Sequence, residues 1–170
     1  TRNLSNYPSI ISRFVIAGST SVINGATVGS VITSTDGLAF RRFNITGLTQ
    51  QLNEITSNGV DQYVAVGAGG VIYTSPDSQN WTSQTSGTVQ NFTAVAFGSG
   101  TFVAVGTSNA GRYSTDNGVT WLASTGLAGT LADVVWTGSQ FVAINTIGAV
   151  FTSANGITFA AVSTTGITPA

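Results

Sequence analysis

Short apolar runs alternate with turn-forming residues along the whole chain. Runs of four to six residues rich in valine, isoleucine, phenylalanine and alanine, such as "YVAVG" and "FVAVG", end at glycine, asparagine, aspartate or serine. Runs of this length and composition, bounded by turn residues, predict β-strands joined by tight turns. Nothing in the sequence has the period and length of an amphipathic helix. The pattern therefore predicts an all-β protein.

The apolar runs recur at a fixed spacing. Tyr63, Phe102 and Phe141 open runs of the Phe-Val-Ala-Val type, lie 39 residues apart, and are each followed by a serine 12 residues later. An earlier copy begins at Phe14, where the matching serine follows after 20 residues. The first repeat therefore carries about eight extra residues around "TSVINGAT", the difference between 20 and 12.

Each repeat holds four predicted strands. A strand such as "LADVVW" precedes the Phe-Val-Ala-Val strand, a third ends in Thr-Ser, and a fourth follows a terminal aromatic residue. Four strands in ~40 residues is the size of one β-propeller blade. We therefore predict a single domain, 1–170, of about four four-stranded blades, with repeats at about 3–51, 52–90, 91–130 and 131–170. Four blades can close alone, or other chains can complete or extend the ring.

A short motif separates the third strand from the fourth in every repeat. It reads "STDGLAF", "SPDSQNW", "STDNGVTW" and "SANGITF". These copies resemble the Asp-box, or bacterial-neuraminidase, repeat Ser-x-Asp-(x)-Gly-x-x-Trp/Phe. The second copy has serine in place of glycine, and the fourth has asparagine in place of aspartate. The matching residues are Ser34, Asp36, Gly37, Phe40, Ser75, Asp77, Trp81, Ser114, Asp116, Gly118, Trp121, Ser153, Asn155, Gly156 and Phe159.

The residue types of this motif suit a structural turn. The carboxylates can accept hydrogen bonds from N–H groups of their own turn, and asparagine can do so without charge. The glycines supply a positive φ where the chain reverses. The terminal aromatic residue is expected to pack between neighbouring sheets. The resemblance implies a β-propeller whose Asp-box turns lie away from the ligand-binding face. Similar repeat arrays occur in bacterial surface proteins and in phage tail or fibre proteins.

The composition limits the chemistry of the chain. Only 6% of the residues are charged, the net charge is −1, and the sequence contains no His, Cys, Lys or Met. This excludes Ser–His–Asp and Cys–His catalysis, Schiff-base lysines, and zinc sites built from His or Cys. We expect no cofactor and no metal. Without a basic stripe or a long apolar run, we expect neither nucleic-acid binding nor membrane insertion.

Two acidic residues are a weak catalytic candidate. Sialidases, the best-known Asp-box enzymes, are implied by the family to need an arginine triad, and the five arginines here stand in no such motif. Glu54 and Asp133, however, occupy the same position of the first strand in the second and fourth repeats. If four blades closed one ring, these carboxylates would face each other, as in glycoside hydrolysis or a Ca²⁺ site. The alternative is that they are solvated or hydrogen-bonded acids at a strand end.

The extra residues of the first repeat are the better binding candidate. They join the second and third strands, on the face opposite the Asp-box turns, and inserted loops often carry function. The candidate residues within Ser19–Val28 are Ser19, Thr20, Ser21, Asn24 and Thr27.

Arg112 and four sequons are further surface candidates. Arg112 stands where other repeats have apolar or aromatic residues, which indicates a ligand contact, a surface ion pair or a partner contact. Glycosylation sequons occur at Asn3, Asn44, Asn80 and Asn91, and would be used only in a host that glycosylates.

The low charge and the Thr/Ser/Gly-rich surface favour an exposed structural protein. We expect a non-enzymatic, extracellular, cell-surface or virion-surface propeller that acts by self-association and adhesion, as an oligomer, a filament or part of a larger assembly. A lectin-like glycan binder is the alternative, and a glycoside hydrolase using Glu54 and Asp133 is the third reading.

Overall fold

The computed structural model describes residues 14–18, 21–23 and 26–163. Within this part, the chain forms sixteen β-strands in four antiparallel sheets of four strands each. A single short 3-10 turn, Ala68–Gly70, interrupts the β-structure of the described residues. The prediction of an all-β fold built from four-stranded blades is confirmed.

Blades 2, 3 and 4 share one up-and-down topology, in which each strand pairs with the next strand of the chain. Blade 2 comprises β5 (Leu52–Ser57), β6 (Tyr63–Gly67), β7 (Ile72–Ser75) and β8 (Thr82–Gln84). Blade 3 comprises β9 (Phe92–Gly98), β10 (Thr101–Gly106), β11 (Gly111–Ser114) and β12 (Leu122–Ala123). Blade 4 comprises β13 (Leu131–Trp136), β14 (Phe141–Asn145), β15 (Val150–Ser153) and β16 (Ala160–Val162). The first strands β5, β9 and β13 are the innermost, since they pack against each other along the chain of blades.

Blade 1 differs from the others, because its extra residues form strand rather than loop. The blade comprises β1 (Phe14–Ala17), β2 (Ser21–Ile23), β3 (Ala26–Ser34) and β4 (Arg41–Ile45). Both β1 and β2 pair with the long strand β3, so the predicted loop is a β-hairpin that prolongs the third strand. Two residues, Asn24 and Gly25, separate β2 from β3 in sequence, and Asn-Gly between alternating strands is a strong hairpin signal. The predicted first strand of this repeat lies outside the described residues.

Neighbouring blades pack face to face. Because side chains alternate across a strand, each sheet has one face toward the preceding blade and one toward the following blade. We call these the leading face and the trailing face. Between blades 2 and 3, Val64 and Val66 of one trailing face share a buried cluster with Phe102 and Ala104 of the next leading face. Strand β10 is buried at every position because it has a blade on both sides.

The same packing joins the other neighbouring blades. Val103 and Val105 on the trailing face of blade 3 share a cluster with Phe141 and Ala143 of blade 4. Blades 1 and 2 are joined through a third cluster around Val31. In the described part of the chain, no comparable packing joins blade 4 to blade 1. As far as the structure describes the chain, the four blades therefore form an arc of a propeller with no blade packed on either end.

Candidate functional site

The Asp-box turns have the hydrogen bonds that their sequence predicts. In blade 2, the Asp77 carboxylate accepts hydrogen bonds from the N–H groups of Gln79 and Asn80, at 2.9 and 2.8 Å. Its Oδ1 also accepts the Ser75 hydroxyl at 3.0 Å. The Asp36 and Asp116 turns repeat this arrangement with N–H donors of their own loops. These acids are therefore committed to turn structure.

Substituted positions of the motif keep the same geometry. Asn155 in blade 4 accepts from the Ile157 N–H at 3.0 Å, as an aspartate would. Gly37, Gly118 and Gly156 all have positive φ values of 76–83°, and Ser78, which replaces glycine in blade 2, has a φ of 62°. The backbone therefore requires the left-handed conformation at this position whatever the residue.

The turn hydrogen bonds lower the pKa values of the Asp-box carboxyl groups. The N–H groups of Ala39 and Leu38 lower the pKa of Asp36. Partial burial of Asp77 would raise its pKa, but hydrogen bonds from Asn80, the Gln79 N–H and the Ser75 hydroxyl together outweigh burial and lower the pKa. The anionic form is thus the one that the folded turn prefers.

The terminal aromatic residues of the motif pack on the preceding blade. Trp121 is buried against blade 2, Phe159 is buried against blade 3, and Trp81 packs at the interface of blades 1 and 2. Phe40 occupies the same position in blade 1 but is 50% exposed. The prediction that Phe40 packs between sheets is therefore wrong within the described chain, because no blade precedes it there.

Arg112 joins blade 3 to the connection that follows blade 2. Its Nε donates to the carbonyl of Ser86 at 2.7 Å, and its Nη2 donates to the carbonyl of Gly87 at 3.0 Å. Its Nη1 donates to the carbonyl of Gly111 at 2.9 Å. The guanidinium group therefore clamps backbone carbonyls on both sides of this junction, a role that the sequence did not predict, while the expected ligand contact, ion pair or partner contact stays a prediction.

Glu54 joins the inner strands of two blades. Its Oε2 accepts a hydrogen bond from the Val95 N–H of blade 3 at 2.6 Å. Burial raises the pKa of Glu54, the Val95 N–H opposes this shift, and the charge of Asp133 adds to it. The two predicted acids therefore lie close enough to interact electrostatically, although they belong to blades 2 and 4.

Asp133 occupies the same position in blade 4 but has a different partner. Its Oδ1 accepts from the N–H of Val134, the next residue in its own strand, at 2.7 Å. Val134 corresponds to Val95, whose N–H is satisfied by Glu54. Glu54 of blade 2 thus accepts an amide of the following blade, whereas Asp133 of blade 4 accepts an amide of its own strand and is exposed.

The other predicted surface residues are spread over the fold. Ser21 lies in β2 and Thr27 in β3, and only the strand placement of these two residues is described. Ser19, Thr20 and Asn24 lie outside the described residues. Of the sequon asparagines, Asn44, Asn80 and Asn91 are exposed, and Asn3 lies outside the described residues. Asn80 donates to Asp77, and Asn91 accepts from the Gly69 N–H, so both already serve turns.

The leading face of blade 1 is apolar and exposed. Phe14 and Ile16 are 47% and 49% exposed, whereas Phe102 and Ala104, their counterparts in blade 3, are fully buried. Phe40 belongs to the same face. The sequence analysis placed Phe14 and Phe40 in the first repeat but did not name Ile16, which continues the same apolar pattern as the internal repeats. The place of all three residues in the repeat makes them equivalent to buried core positions.

The trailing face of blade 4 is apolar and exposed as well. Val135 and Ile144 are 48% and 40% exposed, and Val142 and Val162 lie on the same face. The counterparts of Val142 and Ile144 in blade 3 are Val103 and Val105, which have no solvent exposure. The two ends of the arc therefore present a leading face and a trailing face of the kinds that pack together inside the molecule.

Two structural tests for other sites are negative. Within the residues that the structure describes, no group of three or more acidic, His or Cys residues could hold a metal ion. Over the same part of the chain, no helix has the length and apolar character needed to cross a membrane.

Four-stranded antiparallel blades packed side by side on their inner strands define the chain as a β-propeller protein. Comparison with solved structures gives the same class. The chain resembles "YCF48 bound to D1 peptide" with a TM-score of 0.60, 19% sequence identity, and coverage of 68% of this chain and 42% of that chain. It resembles "YCF48 from Cyanidioschyzon merolae" with a TM-score of 0.56, 23% identity, and coverage of 65% and 36%.

A propeller enzyme is among the similar structures too. The chain resembles the Niastella koreensis GH74 enzyme with a TM-score of 0.57, 21% identity, and coverage of 88% of this chain and 24% of the enzyme. No family model and no curated protein sequence matches the chain. From the coverages given, the chain spans less than half the length of the YCF48 and GH74 structures. At identities below 25%, the likeness concerns the fold alone.

Proposed function

We propose that this chain is a non-enzymatic structural and adhesive β-propeller segment, which acts by assembling with other blades and by binding partners at an extracellular, cell or virion surface. The observation that carries the proposal is the exposure of apolar residues at both ends of the arc. Phe14 and Ile16 at one end and Val135 and Ile144 at the other occupy positions that are buried in internal blades.

The apolar side chains at these two ends favour burial against another protein surface over exposure to water. Burying one large apolar side chain contributes about 1.5–3 kcal/mol relative to leaving it exposed. Each end carries several such residues on one flat sheet face, and clustered apolar surface is typical of interaction sites. Covering both ends would therefore stabilise the blades and join them to further blades.

The surface placement rests on composition and on the Asp-box resemblance. With 6% charged residues, the polar surface of the chain must come from threonine, serine, asparagine, glutamine and glycine. The resemblance to repeat arrays of bacterial surface proteins and phage tail or fibre proteins supports an exposed location.

Light scattering coupled to gel filtration tests the assembly. Association that increases with concentration over a range of about 1–100 µM is expected, because interfaces of modest apolar area give affinities in this range or tighter. A clean monomer across the whole range would overturn the proposal. The mass standard is the 17.3 kDa monomer.

A lectin-like binder is the second candidate, and the β2–β3 hairpin favours it. This hairpin distinguishes blade 1 from the other blades and lies at the connection between second and third strands, opposite the Asp-box turns. A glycan array with the intact chain and with a variant lacking residues 20–27 tests this function. Glycan binding that is lost with the hairpin would support it, and equal signals from both proteins would overturn it.

The interaction between Glu54 and Asp133 favours a glycoside hydrolase as the third candidate. Glycosidases use two carboxyl groups, one of which has a raised pKa so that it can act as a general acid. Burial raises the pKa of Glu54, and Asp133 lies near enough to add to the shift. Hydrolysis of an aryl-glycoside panel that is abolished by Glu54→Gln and by Asp133→Asn would support this activity. No turnover by the wild-type chain, or turnover by both variants at the wild-type rate, would exclude this pair.

A further inference from the structure

We propose that the partner of each end is a second copy of this chain, docked head to tail, with the trailing face of blade 4 on the leading face of blade 1. This inference rests on the proposed assembly function and names its partner and its surfaces. The two faces are the trailing face around Val135, Val142 and Ile144, and the leading face around Phe14 and Ile16.

The internal interfaces define what covers each kind of face. The trailing face of blade 3 is covered by the leading face of blade 4, where Val103 and Val105 pack with Phe141 and Ala143. The trailing face of blade 2 is covered by the leading face of blade 3 in the same way. The described blades thus pair trailing face to leading face, and the arc leaves one face of each kind uncovered.

The two uncovered faces have the residues of this pairing in the same register. In blade 4, Ile144 and Val142 of β14 pair with Val150 and Thr152 of β15. In blade 3, Val105 and Val103 of β10 pair in the same way with Gly111 and Tyr113 of β11. On the other end, Phe14 pairs with Ser34 as Phe102 pairs with Ser114. A second copy therefore supplies a complementary surface without any new type of packing.

The inner edge of blade 4 has a polar group suited to the same pairing. Glu54 on the trailing side of blade 2 accepts the Val95 N–H of the following blade. Asp133 holds the corresponding position at the exposed end of the arc. Asp133 therefore places an acceptor at this end of the arc, in the position from which Glu54 reaches the following blade.

Head-to-tail pairing makes a definite prediction for the assembly. Because the interface joins two different surfaces, it either closes into a ring or continues as a filament. Two copies of four blades give about eight blades, at the upper end of the ~4–8 blades found in single propellers. We therefore expect a two-copy ring, or an open filament if the rotation between copies does not close.

Complementation between two single variants tests the pairing. Ile16→Asp blocks the leading face, and Ile144→Asp blocks the trailing face. Val60→Asp, in the exposed turn between β5 and β6, is the control and should associate like wild type. Each blocked variant alone should associate at least ~10-fold more weakly than wild type, because a buried charge is unpaired in the interface. A 1:1 mixture of the two should form a dimer, since one intact leading face and one intact trailing face remain.

The outcomes separate this inference from the function on which it rests. A monomeric wild-type chain at all concentrations would overturn assembly itself. A wild-type oligomer whose blocked variants do not complement each other would overturn the head-to-tail mode and leave assembly in place. If either blocked variant alone associated as strongly as wild type, like faces would be in contact, and the head-to-tail mode would be overturned as well.

Cross-linking gives a second readout that does not depend on a tolerated charge. The chain has no cysteine, so Ile16→Cys and Ile144→Cys each introduce a unique thiol. With a short bis-maleimide, a mixture of these variants should give a mixed dimer linked through positions 16 and 144, and each variant alone should give far less dimer. Equal yields from the mixture and from the single variants would overturn the proposal.

Discussion

The Glu54 carboxylate of blade 2 accepts a hydrogen bond from the Val95 N–H of blade 3 at 2.6 Å. This bond satisfies an inner-strand amide from a neighbouring sheet, next to the position where the β5–β6 register shifts. In blade 3 the residue at the position of Glu54 is Ala94, which has no acceptor, and the corresponding amide of Val134 is satisfied by Asp133 instead. The equivalent inner-strand amides of Val95 and Val134 thus have different acceptors, one in the preceding blade and one in its own strand.

Removal of the Glu54 carboxylate should destabilise the interface of blades 2 and 3. Glu54→Ala leaves the buried Val95 N–H without its acceptor, and we expect a loss of about 1–3 kcal/mol in the free energy of unfolding. Urea denaturation at pH 7 measures this loss. An alanine variant as stable as wild type would contradict the role of this hydrogen bond.

Glu54→Gln is the matched variant, because its Oε1 can still accept from Val95. Burial raises the folded pKa of Glu54 above its ordinary value of 4.5, so the ionised form costs stability at neutral pH. This cost is present above the folded pKa and disappears as the pH falls toward the unfolded value. We therefore expect the glutamine variant to equal or exceed wild type at pH 7, with a difference that shrinks on acidification below the folded pKa. A stability difference that grows on acidification would show that folding lowers the pKa of Glu54 instead of raising it.

Gly156→Ala should cost more stability than Gly148→Ala, although both glycines have positive φ values of 76° and 85°. A β-carbon at Gly148 meets nothing within 4 Å, so only the conformational cost of about 1–2 kcal/mol applies. A β-carbon at Gly156 collides with the Val103 side chain of blade 3. Overpacking then adds about 1–3 kcal/mol. Thermal unfolding of both variants measures the difference, and equal losses would mean that the two blades are not in contact at this turn.

Arg112→Lys should destabilise the chain despite keeping the charge. Lysine has a single ammonium group and cannot donate in fork geometry to the carbonyls of Ser86, Gly87 and Gly111. We expect a loss of about 1–3 kcal/mol. Arg41→Lys, at an exposed position of β4, is the control and should change stability by less than about 0.5 kcal/mol. Similar effects of both substitutions would argue against the clamp.

Acid should weaken the Asp-box turns. The folded pKa values of Asp36, Asp77 and Asp116 are lowered from 3.8, so their contribution to stability is present above that value and is lost as the pH falls through the folded pKa. Asp77→Asn should reduce this acid-dependent loss, because an amide oxygen accepts from the turn without titrating, as Asn155 does in blade 4. Urea midpoints between pH 2 and pH 7 compare the two proteins, and identical profiles would contradict the assignment.

The blade repeat was predictable from the sequence because its signals are local. The spacing of Tyr63, Phe102 and Phe141 predicted equivalent strands, and each of them is the first or second residue of the second strand of its blade. The turn chemistry of the Asp-box aspartates was predictable for the same reason, since their hydrogen-bond donors lie within four residues of them.

The sequence analysis missed contacts whose partner lies in another blade or beyond the arc. Phe40 has the motif position of the buried Trp121, yet it is half exposed because no described blade precedes it. The hydrogen bonds of Arg112 to carbonyls of the connection after blade 2 were not foreseen, and its expected ligand, ion-pair or partner contact stays a prediction. The extra residues of repeat one were expected as a loop, although Asn24-Gly25 is a local hairpin signal that sequence analysis could have used.

By itself, the sequence determined the class of the fold, the length of the repeat and the turn that ends each third strand. These features depend on residue type and on spacings of a few residues, which determine strand pairing and turn geometry. Only the tertiary structure decided that Glu54 and Asp133 cap different strands and that the four blades leave a leading and a trailing apolar face uncovered. Both depend on how sheets stack on one another, and stacking brings together residues that lie some 40 positions apart and that no local pattern connects.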